Sequence, residues 1–203
     1  MKYRNVTISG LPGSGSSTLA RSLAKKLGWE YFGGGEFMRQ YAIEKGLFNK
    51  ELKIHHLATV YGDDFDRKVD YGMRDWLKEK SGRVVDSWLS GFVAQGVKGT
   101  LKVLMFCSMD ELRIDRLVNR DGISIEEAKK HIFEREEKNL GKWTRLYGKE
   151  WRLWVPKSSQ GFRRGKYFDF YHPSLYDLVI DTYSLDRDSC LKKTLEALCL
   201  KKS

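Results

Sequence analysis

A glycine-rich turn near the N-terminus has the residue types and spacing of a phosphate-binding loop. Residues 10–17 match the template G-x-x-x-x-G-K-S/T, except that Ser16 stands where the lysine belongs. The turn lies between an apolar run and a helical pattern, an arrangement that directs backbone N–H groups and the positive end of a helix towards phosphate oxygens. The candidate phosphate-binding residues are Gly10, Gly13, Ser14, Gly15, Ser16, Ser17 and Thr18. In this arrangement the Ser17 hydroxyl would bind Mg²⁺.

The alternative interpretation of this segment is an ordinary strand-to-helix turn. The chain has 19 glycines among 203 residues, so two glycines at this spacing are expected by chance alone. The position between strand and helix, together with three consecutive hydroxyl residues at 16–18, favours phosphate binding.

The missing lysine requires another cation near the loop. A unit charge about 4 Å from a phosphate oxygen could supply up to roughly 4 kcal/mol at an effective dielectric constant near 20. Arg113, Arg116 and Arg120 share one helical face. Further cations follow in the next predicted helix: Arg135, Lys138 and Lys142. The alternative is that these side chains form a solvated, charged surface.

Composition limits the class of protein. Lys and Arg number 37 against 27 Asp and Glu, a net charge of +10 that favours an acidic partner such as nucleotide phosphates, nucleic acid or a membrane surface. Hydrophobic residues make up 41% of the chain, too many for a disordered protein. Three scattered cysteines predict neither disulfides nor a zinc site, and the four histidines show no metal-binding spacing. We therefore expect a soluble, cytoplasmic protein with no membrane span.

Strand and helix patterns alternate along the chain, which predicts an α/β fold with a parallel sheet. The predicted strands lie at residues 6–8, 29–32, 83–86, 101–106 and 177–180. The predicted helices lie at residues 16–27 with Gly28 as cap, 36–45 with Gly46 as cap, 51–60, 64–80 and 185–200 with Asp186 as cap. Two capping-box patterns, at Ser108 and Ser124, predict helices that start near residues 109 and 125.

Taken in order, these motifs resemble the nucleoside monophosphate kinases, most closely the archaeal-type cytidylate kinases. The similarity runs from about residue 5 to residue 198. The matching features after the lysine-free loop are Arg39 with Ala42 and Gly46, the pair Asp66-Arg67, the arginines Arg113, Arg116 and Arg120, residues 134–136, Tyr147, and residues 174–180. Several separate matches in the same order are more specific than the loop alone.

The resemblance implies a P-loop α/β fold with a five-stranded parallel sheet in a single domain over residues 1–203. It implies an acceptor-binding region at about residues 33–80 and an arginine lid at about residues 113–147. ATP would bind residues 10–18, and the cations that would neutralise its β- and γ-phosphates are Arg116, Arg120, Arg135 and Lys142. Asp86 would hold Mg²⁺ together with Ser17, although an Asp at a strand end can also cap the next helix. The implied acceptor-binding residues are Arg39, Asp66 and Arg67. Trp88 is a further acceptor-binding candidate, on the chemistry of its own side chain.

The sequence departs from the family pattern at Trp88. The family has an arginine here for the acceptor phosphate, whereas this chain reads Asp86-Ser87-Trp88. Loss of that guanidinium would weaken acceptor binding unless Arg39 and Arg67 suffice. Trp88 could stack on a base or sugar of the acceptor, or pack in the core.

A second departure is an aromatic and basic insertion at residues 149–172. Its composition suits single-stranded nucleic acid, but we favour a flap or packed hairpin over the acceptor pocket. We predict an ATP- and Mg²⁺-dependent kinase of a nucleoside monophosphate, with CMP or dCMP as the first acceptor to test, in a monomeric protein. The alternatives are a kinase of another small metabolite and a nucleotide-responsive nucleic-acid binder without turnover.

Overall fold

A five-stranded parallel sheet forms the centre of the computed structural model, which describes residues 2–44 and 61–199. The strands of the described residues are β1 (Asn5–Gly10), β2 (Glu30–Gly33), β3 (Arg83–Asp86), β4 (Thr100–Phe106), β5 (Phe162–Arg163), β6 (Tyr167–Phe168) and β7 (Leu178–Asp181). The sheet order is β2-β3-β1-β4-β7, while β5 and β6 form a separate antiparallel hairpin. The predicted parallel sheet is confirmed.

Helices cover both faces of the sheet. They are α1 (Ser16–Leu27), α2 (Gly34–Glu44), α3 (Asp63–Glu79), α4 (Ser90–Val93), α5 (Asp110–Asp121), α6 (Ile125–Lys129), α7 (Arg135–Leu146), α8 (Gly148–Trp154) and α9 (Arg187–Cys199). A π-helical turn, Lys130–Glu134, joins α6 to α7, and short 3-10 helices occur at Lys157–Ser159 and Pro173–Leu175. Among residues 2–44 and 61–199, every helix is too short or too polar to serve as a membrane span.

The predicted helix ends are partly confirmed. Gly28 ends α1 in the left-handed conformation with φ of 65°, and the Asp186 carboxylate accepts from the Ser189 N–H at the start of α9. The capping box at Ser124 forms. The predicted helix start near residue 109 is confirmed, because α5 begins at Asp110. The capping box predicted at Ser108 is wrong, because the Ser108 N–H donates to Asp181 on β7 instead. The predicted helix at residues 51–60 and the Gly46 cap lie outside the described residues.

The core has two main layers and one small satellite. On one face of the sheet, α1 and α9 pack on apolar side chains of β1, β3 and β4. On the other face lie α3, α4, α7 and α8 with many aromatic rings. The satellite joins α5, α6 and the π-helical turn through Leu117, Ala128 and Ile132. The phosphate-loop candidate lies where β1 enters α1, at the carboxyl edge of the sheet.

The aromatic insertion packs into the second layer. Trp151 and Phe170 are buried, and the Trp151 ring stacks on Phe168 with centroids 4.8 Å apart. The β5-β6 hairpin is fastened to α7, since Arg163 pairs with buried Glu136 at 2.8 Å and the Phe168 N–H donates to Thr144 Oγ1. The insertion thus forms a packed hairpin whose aromatic side chains lie largely in the core. It does not cover the acceptor pocket as predicted, because none of residues 149–172 lines the cleft described below.

Candidate active site

The backbone of residues 10–18 builds the first wall of the site. Gly13 and Gly15 have φ of 79° and 84°, a region in which residues with a Cβ are strained. A Cβ on Gly13 would also lie 2.8 Å from the Arg113 carbonyl oxygen. No side chain caps the first turn of α1, so its N–H groups are available to an anion. The predicted loop geometry is therefore present.

Arg113 and Arg116 of α5 hold this loop from the opposite side. The Arg113 Nε–H donates to the Pro12 carbonyl at 3.1 Å. Arg116 donates through Nη1 to the Gly13 carbonyl and through Nη2 to the Thr182 carbonyl, both at 2.9 Å. Arg116 lines the cleft, but these donors already bind the backbone. Its predicted contact with ATP phosphates stays a prediction.

Asp86 lies beside the loop because β3 pairs directly with β1, with Asp86 opposite Ile8. Its carboxylate accepts from the Ser17 hydroxyl at 2.5 Å. Burial raises the pKa of Asp86 to about 6, while the Ser17 hydroxyl favours its charged form. The structure thus brings the two predicted Mg²⁺ ligands into contact, and both offer the oxygen atoms that Mg²⁺ prefers.

Arg39, Arg120 and Arg135 approach the cleft from three helices. Arg120 forms a two-point contact with Asp121, at 2.7 Å for each hydrogen bond. Arg135, the first residue of α7, lies with its Cζ 4.9 Å from the ring centroid of Trp88. Burial, then the positive charge of Arg39, lowers the pKa of Arg135 to about 10. Positive charge therefore gathers in the cleft that the lysine-free loop lines.

Lys142 and Arg67 lie elsewhere. Lys142 is buried between α3 and α7, where its Nζ lies 2.7 Å from Asp66 Oδ2 and donates to the Tyr61 carbonyl. Arg67 pairs with Glu150 of α8 at 2.7 Å. Neither side chain is part of the cleft lining. A contact of Lys142 with phosphate, or of Arg67 with an acceptor, would require these ion pairs to open, so both roles stay predictions.

The far end of the cleft contains residues that sequence reasoning missed. Asp70 lies one turn after Asp66 and accepts a hydrogen bond from the Tyr147 hydroxyl. Burial raises the pKa of Asp70 to about 7. Asn139 and Trp143 follow Arg135 at intervals of four residues on α7, a helical stripe that could have identified this face from the sequence.

A single continuous cleft of about 890 Å³ joins these parts. One end is lined by the loop, Asp86, Arg116 and Thr182, and the other by Asp66, Asp70, Trp88 and Trp143. Trp88 is half-buried and meets Trp143 edge to face, with ring centroids 5.6 Å apart. Arg39, Asp66 and Trp88 are thus brought together as predicted for the acceptor, whereas Arg67 is not.

Comparison with known proteins identifies relatives. A sequence model described as the cytidylate kinase-like family matches residues 5–184. The chain is 32% identical over 204 residues to a cytidylate kinase of Methanopyrus kandleri, covering 95% of this chain and 93% of that protein. It is also 32% identical over 193 residues to a cytidylate kinase of Haloarcula marismortui, covering 95% and 88%.

Solved structures share the fold at low sequence identity. An uncharacterized protein from Eubacterium ventriosum superposes with a TM-score of 0.64 at 13% identity, covering 97% of this chain and 99% of that one. A gluconokinase from Sinorhizobium meliloti superposes with a TM-score of 0.55 at 12% identity, covering 98% and 93%. With the family match spanning most of its length and relatives at 32% identity, the chain belongs to the cytidylate kinase-like family.

Proposed function

We propose that this protein transfers a phosphoryl group from ATP to a cytidine monophosphate. The observation that carries the proposal is the continuous cleft, which has a phosphate loop at one end and a charged, aromatic pocket at the other. Such a cleft can hold a donor and an acceptor with their phosphates facing each other. The relatives from M. kandleri and H. marismortui, both named cytidylate kinase, support CMP as the acceptor.

The donor half of the cleft would bind the ATP polyphosphate mainly through backbone N–H groups. The uncapped N–H groups of α1 and the left-handed turn at Gly13 and Gly15 supply fixed dipoles without a side-chain charge. Ser16 leaves room where other loops place a lysine. Positive charge would then come from Arg120 and Arg135, which enter the cleft from α5 and α7.

Asp86 and Ser17 fit a bound Mg²⁺. Both side chains carry oxygen ligands and are in contact with each other. Mg²⁺ at such sites is held by one or two protein oxygens together with phosphates and water. When bound, the ion would neutralise charge on the transferring phosphate.

The acceptor half would position the monophosphate for in-line attack. Arg39, which is exposed on α2, would bind its phosphate, while Asp66 would contact the nucleoside. The protein needs to supply little covalent chemistry in phosphoryl transfer, so positioning and charge neutralisation provide most of the rate acceleration. Arg135, which lines the same cleft and contacts Trp88, would neutralise the phosphoryl group in transit.

Neither alternative function is favoured. The aromatic insertion lies mainly in the core, which leaves few rings to stack on nucleic-acid bases. The curated relatives at about one-third identity are cytidylate kinases rather than kinases of other metabolites.

A coupled assay of ADP release tests the proposal. We expect turnover with CMP or dCMP that exceeds turnover with UMP, AMP and GMP by at least about tenfold. An Asp86→Ala variant supplies the background rate. Equal rates with all monophosphates, or turnover no faster than in this variant, would contradict the proposal.

A further inference from the structure

Arg135 is a half-buried cation for which the described residues provide no carboxylate partner. No Asp or Glu of residues 2–44 and 61–199 pairs with its guanidinium, and its Nε is buried without a hydrogen-bond partner there. Other arginines in buried surroundings are compensated: Arg163 by Glu136 and Arg74 by the Val93 and Gln95 carbonyls. Partial burial without compensation is unfavourable for a charge, so another contact must hold Arg135 in the cleft.

The face of Trp88 is the observed contact of this guanidinium. The Arg135 Cζ lies 4.9 Å from the Trp88 ring centroid, within the range of a favourable cation–π contact. Trp88 is itself fixed, since Trp143 meets its ring at 76° and Trp143 is buried in the core. The π-helical turn Lys130–Glu134 ends immediately before Arg135, and its wider winding sets the direction in which α7 starts.

An aromatic ring holds an arginine differently from a carboxylate. A carboxylate cancels the charge and uses the N–H donors, whereas a ring attracts the cation through its electron-rich face and leaves the five N–H donors available. Arg39 and Arg120 lower the pKa of Arg135 through their like charges, so the three guanidinium groups face a shared space that suits a polyanion. Arg135 can therefore be oriented in advance and still carry its full charge to a phosphate.

We propose that Trp88 is a positioning residue that holds the Arg135 guanidinium poised for the transferring phosphoryl group. The inference deepens the proposed kinase function and rests on it. It also gives Trp88 a role distinct from stacking on the acceptor base, because the ring face that Arg135 covers is not available to a base.

Enzyme kinetics and NMR together test the proposal. Trp88→Leu keeps an apolar side chain but removes the ring, and Trp88→Phe keeps a weaker ring. We expect Trp88→Leu to lower kcat about tenfold with little change in KM for ATP. Trp88→Phe should lower kcat by a smaller factor. In an Arg135→Ala background, Trp88→Leu should cause little further loss, because the contact is already gone.

A second readout does not depend on turnover. In ¹⁵N-labelled protein the Arg135 Nε–H signal, assigned by its loss in Arg135→Lys, should carry a ring-current shift that disappears in Trp88→Leu. The matched control is Trp76→Leu, which removes a similar contact with Arg83 at 4.7 Å outside the cleft and should move only the Arg83 signal.

The outcomes separate this proposal from the kinase function. An Arg135 signal that does not move in Trp88→Leu would overturn it, as would an equal fold-loss of kcat in the wild-type and Arg135→Ala backgrounds. Absence of CMP phosphorylation by the wild-type protein would instead refute the kinase function, and the NMR result would still show whether Trp88 orients Arg135.

Discussion

The two ends of the cleft are built by different means. At the donor end, glycine conformations and backbone N–H groups form the surface, and Arg113 and Arg116 hold it by donating to backbone carbonyls. At the acceptor end, side chains distant in sequence pair with one another: Asp66 with Lys142, and Asp70 with Tyr147. The donor end depends on local chain geometry, whereas the acceptor end depends on charge pairs formed by folding.

This difference predicts different responses to mutation. Loss of a partner at the acceptor end leaves a buried charge and should mainly destabilise the fold. Replacement of a glycine at the donor end should mainly abolish ligand binding. The conformation of this turn is required for phosphate binding more than for the stability of the fold. The following predictions test the contrast in order of decreasing effect.

Removal of Lys142 should give the largest effect. Lys142→Met leaves the buried Asp66 carboxylate without its cation, and we expect a loss of about 3–5 kcal/mol in the free energy of unfolding. Denaturant titration measures this loss. Lys138→Met, on the exposed side of the same helix, is the control and should change stability by less than about 0.5 kcal/mol.

The same variant distinguishes the structural role of Lys142 from its predicted contact with phosphate. If Lys142 served the phosphates, Lys142→Met would lower kcat while leaving stability near that of the Lys138→Met control. The double variant Lys142→Met with Asp66→Leu should recover most of the lost stability, because it removes the orphaned charge as well.

Gly13→Ala should have the next largest effect, this time on ligand binding. The alanine Cβ would meet the Arg113 backbone in a left-handed conformation, so the loop must move. We expect ATP affinity, measured by calorimetry, to fall about 100-fold, comparable to loss of a key phosphate donor. Gly28→Ala has a similar φ of 65° but meets no neighbour within 4 Å. It should cost about 1 kcal/mol of stability and leave ATP affinity intact.

Asp70 should make stability depend on pH. Burial raises the pKa of Asp70 from 3.8 to about 7, so between these values the folded state holds a proton that the unfolded chain releases. The stability that this proton supplies is present at low pH and is lost as the pH rises through about 7. The free energy of unfolding of Asp70→Asn, relative to that of the wild-type protein, should therefore rise by up to about 1.4 kcal/mol per pH unit between pH 5 and 7.

Thermal or denaturant unfolding at several pH values measures this gain. Asp64→Asn, exposed on the same helix, serves as the control, and its difference from the wild-type protein should stay constant over the range. A constant difference for Asp70→Asn as well would contradict the burial of this carboxyl group.

Most of the fold could be predicted from the sequence because its signals are local. Apolar runs predicted the parallel strands, and Gly28, Ser124 and Asp186 predicted helix ends, since each acts on residues within one turn of itself. The capping box predicted at Ser108 does not form, because the Ser108 N–H donates to the distant carboxylate of Asp181. A local pattern cannot reveal such a competitor.

The candidate site likewise contains features that the sequence could predict and features that it could not. The loop followed from the spacing of its glycines, and Asp86 from the family resemblance. Their contact depends on the pairing of β3 with β1, which the sequence did not predict. The contacts of Lys142 and Arg67 could not be predicted either, because a helical stripe of cations has the same sequence pattern whether its members face a ligand, solvent or buried carboxylates. Their partners Asp66 and Glu150 lie 76 and 83 residues away, beyond any periodicity.

The serine in place of the loop lysine has a consequence for chemical labelling. Residues 10–18 contain no amine, so acylating reagents and aldehydes that inactivate lysine-bearing loops find no nucleophile there. Arginine-directed dicarbonyl reagents would instead attack the groups that supply positive charge to this cleft. Protection by nucleotide against the second class of reagent, and indifference to the first, would be the chemical signature of a site that has exchanged ammonium for guanidinium.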